Sequence, residues 1–190
     1  MPAETEKNPD LEMQNKREFF ERLKNDPANI AELYDRSADK LFRFLLKRVG
    51  HKETAEDMVS RTFVKLLEAL PSLVWKGVSI EAWLYKTATN GLIDHWRSAG
   101  HKREVLADEF PDVESEDDPA FIAEINIEAE KLEPILSELS PRDQQVLDLK
   151  FFGGFELAEI AAVMDIQVNH ASVLVYRALR RLRKKYLANV

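Results

Sequence analysis

The 190-residue chain contains no cysteine, only six glycines and four histidines, and no apolar run approaching a membrane span. Each absence removes a class of chemistry. Without cysteine there are no disulfides, thiolate nucleophiles or thiolate metal sites, which fits a reducing compartment. The histidines (His51, His95, His101, His170) are scattered and lack metal-ligand spacing, so no metal is expected. With so little glycine there is no glycine-rich phosphate loop, and no nucleophile sits at a spacing that would pair it with a base. An enzyme, a cofactor and a small-molecule substrate are therefore not expected. A membrane span needs ~20 consecutive apolar residues, and none is present. The opening M-P-A-E-T-E-K-N-P-D lacks the apolar core of a secretory leader, so a cytoplasmic protein is expected.

What the chain does have is segregated charge. Its net charge of −7 argues at first against nucleic acid. The segment Glu104–Glu130, however, holds eleven acids and no Lys or Arg, and without it the rest of the chain carries +4. Lys76–Arg103 has five Lys/Arg against two acids, and Arg177–Lys185 has six against none. Two basic patches thus flank one acidic segment, an arrangement that suits a polyanionic partner at two places.

Helical periodicity runs through the rest, and no period-two stretch appears, so an all-α fold is expected. A helix is predicted from Asp10 to about Asn25, with Leu11, Phe19, Phe20 and Leu23 as anchors. Asp26-Pro27 reads as a cap followed by proline at the first helical position. Ile30, Leu33, Tyr34, Leu41, Phe42, Leu45, Leu46 and Val49 then keep period up to Gly50, a C′ residue. A third helix, about Glu53–Leu70, carries Ala55, Met58, Val59, Thr62, Phe63, Leu66, Leu67 and Leu70 as its apolar stripe and stops at Pro71. After a loop at 71–78, Ser79 caps a helix through Ser98. On that helix Trp83, Leu84, Thr87, Ala88, Gly91 and Leu92 draw a buried stripe. Tyr85, Lys86, Thr89, Asn90, His95 and Arg97 are left on an open face. Such a face can stack on unpaired bases and neutralise phosphates, although a solvated amphipathic helix has the same pattern.

Residues 101–127 have the composition of an acidic linker, with Pro111, Pro119 and few apolar residues. The chain accordingly divides into a helical domain at 10–100, this linker, and a second helical domain at 128–190. In the latter, Ile127, Leu132, Ile135, Leu136 and Leu139 resume helical period. Ser140-Pro141-Arg142-Asp143 starts a helix through Phe152, and Gly153-Gly154 breaks it. Two helices follow, about Glu156–Met164 and Asn169–Tyr186, separated by Asp165-Ile166-Gln167-Val168. Leu157, Ile160, Ala161, Val163, Ile166, Ala171, Leu174, Val175, Leu179 and Leu182 would close their core. A short helix, a tight turn and a longer basic helix form a helix-turn-helix pattern.

At this point several strings, in order over two domains, carry a resemblance. In the first domain they are L-Y-D-R-S-A-D-K-L-F-R-F-L-L-K-R-V-G, A-E-D-M-V-S-R-T-F-V-K-L-L and A-W-L-Y-K-T-A-T-N-G-L-I-D-H-W-R. In the second they are L-S-P-R-D-Q-Q-V-L-D-L-K-F-F-G-G-F-E-L-A-E-I-A and R-A-L-R-R-L-R. The chain resembles a bacterial RNA polymerase sigma factor of the small, two-domain extracytoplasmic-function type (group IV). The resemblance covers about residues 30–98 and 134–186.

The resemblance implies partners and roles. The A-E-D helix would dock on core RNA polymerase through Glu56, Asp57, Ser60, Arg61, Thr62, Phe63 and Lys65. The next helix and its preceding loop would capture the melted −10 element of promoter DNA. Asn90 would sit at the pocket for an extruded base, beside loop residues 73–79, and Tyr85 would add stacking. Trp75, Lys76, Lys86, His95 and Arg97, with Lys102 and Arg103, would complete that surface; Trp83 is assigned to the core. The acidic linker would run through polymerase channels that later hold RNA. The last helix would read the −35 element through His170, Ser172, Val173, Tyr176 and Arg177, and hold phosphates with Arg180 and Arg181. An anti-sigma factor is an implied further partner.

Three departures from the family pattern stand out. Ser60-Arg61 replaces Gln-Glu or Gln-Asp, Ser172 and Leu174 replace a basic pair, and Asp165 replaces the turn glycine. The first reverses a charge at the expected polymerase contact, and the other two predict an atypical or weak −35 preference that depends on phosphate contacts. Two alternatives stay open: a stand-alone helix-turn-helix regulator, which would need neither the A-E-D surface nor the Asn90 pocket, and a sigma-like protein that occupies polymerase without initiating, suggested by Ser60-Arg61 and the altered recognition helix.

Overall fold

The computed structural model describes residues 9–98 and 134–189, which are helices, turns and short loops with no strand among them. The chain divides into two compact units between His101 and Lys102. The expected acidic linker, Lys102, Arg103 and the start of the second domain's first helix lie outside the described residues.

In the first unit, α1 (Pro9–Asn25), α2 (Ile30–Val49), α3 (Lys52–Ala69) and α4 (Ile80–Ser98) surround one core. Helices α2, α3 and α4 pack on one another. Leu33, Leu41 and Leu45 of α2, Ala55 and Leu66 of α3, and Leu84 of α4 are fully buried. Burying such side chains contributes about 1.5–3 kcal/mol each by area, an upper bound relative to a compact unfolded chain. Helix α1 adds Phe19, Phe20 and Leu23 to this core. Its expected anchor Leu11 is instead 55% exposed, because it lies more than two turns before Phe19, ahead of the buried end of the helix. Arg36 lies 3.8 Å over the Phe19 ring and pairs with Glu81, tying α1, α2 and α4 together.

Local punctuation follows the expected chemistry with one shift. Asp26 accepts a bond from the Ala28 N–H (2.9 Å), but residues Pro27–Asn29 form a 3-10 turn and α2 begins only at Ile30. Gly50 closes α2 at φ +72° and donates to the Leu46 carbonyl, the left-handed cap that glycine adopts without steric cost. Ser79 caps α4, its Oγ accepting from the Ala82 N–H at 3.2 Å.

In the second unit, residues 134–137 are helical and place Ile135 and Leu139 in a core with α5 (Pro141–Leu147), α6 (Leu157–Met164) and α7 (Val168–Asn189). The helix expected to run through Phe152 changes pitch after Leu147. Asp148–Phe152 is a π turn, closed by the Gly153 N–H donating to the Asp148 carbonyl at 2.8 Å. Gly153 is there for closeness. A Cβ on it would lie 2.7 Å from the Leu149 carbonyl oxygen and 2.7 Å from the buried Phe155 ring. Gly154 has open space but a φ of +70°. Gly153→Ala is therefore expected to destabilise this unit by about 1–3 kcal/mol through overpacking, and Gly154→Ala by about 1 kcal/mol through backbone strain. Native-state hydrogen exchange of the α5–α7 amides in the full chain measures both; unchanged protection in Gly153→Ala would rule out the tight packing.

Between α6 and α7, Asp165 adopts φ +58°, the single non-glycine residue with positive φ among those described. The Ile166 N–H donates back to the Ala161 carbonyl at 3.0 Å. Aspartate tolerates this conformation better than most residues, so the turn keeps its left-handed geometry without glycine. The replacement at the turn is structurally silent.

Candidate polymerase and nucleic-acid interfaces

Helix α3 presents an outward row beside its packed stripe. Glu56, Asp57, Ser60, Arg61 and Lys65 are exposed. Arg61 pairs with Asp57 at 2.8 Å, Lys52 lies 3.7 Å from Glu56, and Ser60 Oγ donates to the Glu56 carbonyl. Thr62 and Phe63, expected in the same row, face inward. Thr62 is buried and donates to the Met58 carbonyl at 2.7 Å. Phe63 is buried beneath Tyr34, with ring centroids 4.9 Å apart. Val64 and Leu67 take their place on the outside, 52% and 47% exposed. Sequence reasoning missed Val64 and assigned Leu67 to the core, because an apolar residue next to an apolar stripe looks like part of it. The signal was angular: Ala55, Met58, Val59, Thr62, Phe63 and Leu66 already fill the inward arc, and Leu67 lies ~40° outside its edge at Phe63. Tyr34, another expected core residue, is 47% exposed on α2, where its ring covers Phe63.

A groove of about 680 Å³ runs between α3 and α4, lined by Asp57, Met58, Arg61 and Lys65 on one side and by Thr87, Gly91 and His95 on the other. His95 thus shares a groove with the α3 row. It does not join Asn90, which lies outside that lining. The separation is helical geometry, since five residues place two side chains ~140° apart.

The open face of α4 carries Lys86, Asn90 and Arg97, at spacings of four and seven residues, with Asn90 and Arg97 exposed. Arg97 lies 3.9 Å from Asp94. Tyr85 is not on this face. It is buried and meets the Phe44 ring edge-on at 4.9 Å, so it stacks in the core and is unavailable to a base. Trp83, seven residues before Asn90, is only half-buried and lies on the open side instead. The expected stripe was rotated by about one residue, because α4 packs against α2 as well as α3. In the loop before α4, Trp75 packs on Phe20 of α1 with centroids 5.7 Å apart. The Leu73 carbonyl accepts a 2.7 Å bond from Lys24 Nζ. Helix α1 therefore braces this loop, while Lys76 stays exposed and Gly77 turns the chain at φ +79°.

Helix α7 buries Ala171, Leu174, Val175, Ala178, Leu179 and Leu182, a stripe at helical spacing against α5 and α6. His170, Ser172, Val173, Tyr176 and Arg177 are half-buried on the remaining surface, and Arg180, Arg183 and Lys184 are exposed. Arg181 has another role. Its guanidinium donates at 2.8 Å to both oxygens of Asp143, which is 2% exposed and also accepts from Ser140 Oγ. Arg181 therefore ties α7 to the start of α5, where the sequence pattern placed it among phosphate contacts. The two neighbouring arginines are expected to separate experimentally. Arg180→Ala should reduce the salt slope of DNA binding by about one and leave stability unchanged. Arg181→Met should cost about 1–2 kcal/mol of stability, less than the ~3–5 of a fully buried pair because the guanidinium is half exposed. Urea unfolding and binding at graded salt measure the two effects.

These elements define the class: a two-unit, all-helical protein whose second unit is a helix-turn-helix. Two family models match it in order, Sigma-70 region 2 over residues 33–102 and Sigma-70 region 4 over 135–184. The chain is 32% identical over 169 residues to the extracytoplasmic-function (ECF) RNA polymerase sigma factor BldN of Streptomyces coelicolor. That alignment covers 88% of this chain and 64% of BldN, just under two thirds of the relative's length. It is 28% identical over 158 residues to the RNA polymerase sigma factor YlaC of Bacillus subtilis, covering 82% of this chain and 91% of YlaC. Among solved structures, CnrH in complex with the cytosolic domain of CnrY shares the fold at 19% identity and TM-score 0.63, covering 92% of this chain and 99% of that one. The chain belongs to the sigma-70 family and, within it, to the ECF (group IV) RNA polymerase sigma factors.

Proposed function

We propose that this chain is the promoter-selecting subunit of an RNA polymerase holoenzyme, acting where polymerase acts, in the cytoplasm, and doing no bond chemistry of its own. The domain at 10–100 binds core polymerase through the outward row of α3: Glu56, Asp57, Ser60, Arg61 and Lys65, continued by Val64 and Leu67. An exposed polar row flanked by apolar side chains suits helix-on-helix docking. The same domain captures the non-template strand of the −10 element on the open face of α4. Asn90 holds an extruded base, Lys76, Lys86 and Arg97 hold phosphates, and the half-buried rings of Trp75 and Trp83 are the aromatic surfaces beside them. Extruding a base costs a few kcal/mol, which a pocket with matched hydrogen bonds offsets. An amide suits that task because it offers two donors and an acceptor. The acidic segment 101–127 tethers this domain to the second, 128–190, whose α7 contacts the −35 element. An anti-sigma factor would act by hiding the α3 row or the outer face of α7.

The observation that carries this reading is the ordered pair of region 2 and region 4 matches on one chain. In vitro transcription with core polymerase and genomic fragments tests it. Transcripts from defined start sites that require this chain are expected. Binding to core without transcripts would favour the polymerase-occupying alternative, which the Ser60-Arg61 replacement motivates. Duplex binding indifferent to core would leave only a stand-alone regulator.

A further inference from the structure

The first turns of α7 carry an unusual reading surface. From Val168 to Tyr176 there is no Lys, Arg, Asp or Glu. Ala171, Leu174 and Val175 point into the core, so they are removed from any contact with bases. What remains at the surface is exposed Asn169, Val168, 47% exposed, and the half-buried His170, Ser172, Val173 and Tyr176, with exposed Asp165 and Gln167 in the preceding turn. Each base pair in the major groove has side chains that fit its edge. Guanine is read by the paired donors of Arg or Lys, and cytosine by a carboxylate that accepts from its amino group. Adenine is read by the donor–acceptor pair of Asn or Gln, and thymine by apolar contact with its methyl group. Between Val168 and Tyr176 neither reader of a G·C pair is present, while both readers of an A·T pair are.

We propose that the upstream element read by α7 is A·T-rich duplex, with Asn169 reading an adenine edge and Val173 packing on thymine methyls. The proposal rests on the reading of α7 as the −35 helix and specifies the DNA that helix selects. Asn169 and Val173 are four residues apart, which puts them side by side about 5–6 Å apart on one face, within reach of the same or neighbouring base pairs. Affinity comes from elsewhere: Arg180, Arg183 and Lys184, exposed two or more turns further along, reach phosphates and carry no sequence information. This division separates specificity from attraction along one helix. It also accounts for the loss of the basic pair at Ser172 and Leu174, since Leu174 is a core residue here and Ser172 is indifferent to base type.

The test is selection by the holoenzyme, full chain plus core polymerase, from a promoter library randomised upstream of a fixed downstream element. An upstream block of A·T pairs is expected. Asn169→Ala should lower the adenine preference at one position by about tenfold. Replacing thymine by deoxyuridine in the selected block should weaken binding about fourfold for the unaltered chain, the worth of one methyl group, and should have no further effect in Val173→Ala. That pattern separates methyl contact from recognition of a narrow A·T minor groove, which the substitution leaves in place. Selection of a G·C block, or unchanged preferences in both variants, would overturn the proposal. If defined start sites are selected with no upstream preference at all, the assignment of α7 to a −35 element fails, and this proposal fails with it.

Discussion

Asn90→Ala is expected to reduce open-complex formation by about tenfold to a hundredfold while leaving affinity for core polymerase unchanged. Asn90 is exposed on α4, so its removal is expected to leave the fold intact. The loss corresponds to about 1.4–2.7 kcal/mol, the range for hydrogen bonds whose absence leaves an extruded base unsatisfied. Permanganate reactivity of the melted region, followed beside a core-binding titration, separates the two effects. An equal loss of both would place Asn90 at the polymerase contact or in the fold and would remove the base-capture role. Lys86→Ala serves as a reference: a phosphate contact weakens binding more uniformly and lowers the salt dependence.

The second large effect is on stability. Leu84→Ala should destabilise the first unit by about 2–5 kcal/mol, the cost of a cavity where the side chain is fully buried among α2, α3 and α4. That is a large part of the ~5–15 kcal/mol available to a folded domain. Leu67→Ala, at a position that is 47% exposed, should stay within about 0.5 kcal/mol and instead weaken binding to core polymerase. Urea unfolding followed by tryptophan fluorescence reports this unit, which contains all three tryptophans. If both variants lost the same stability, Leu67 would be a core residue and the outward row of α3 would end at Lys65.

That comparison shows where sequence reading stops. Leu67 and Leu84 are both leucines within helical apolar periods, and period alone cannot rank them. The angular arc of α3 could have excluded Leu67, since the inward positions were already filled. For α4 no such correction was available. Tyr85 and Trp83 are both amphipathic aromatics at the stripe's edge, and which one turned inward depended on Phe44 of α2, more than 40 residues away. The arginines of α7 pose the same difficulty. Arg180 and Arg181 are adjacent in a basic run, and only the arrival of the buried carboxylate of Asp143, 38 residues earlier, distinguishes them.

The sequence by itself determined the all-helical class, the helix starts at Ser79 and Ser140, the stops at Gly50 and Gly153-Gly154, and the family. All but the family depend on interactions within a few residues: caps, period and left-handed turns; the family rests on the ordered strings of the two domains. The tertiary structure alone decided which side chains remain for a partner. It withdrew Thr62, Phe63 and Tyr85 from the candidate surfaces, tied Arg181 to Asp143, moved His95 into the α3–α4 groove, and brought Val64, Leu67 and Trp83 outward. The physical reason is that exposure is what remains after packing. It is fixed by the partner helix that covers each face, and that helix comes from a distant part of the chain.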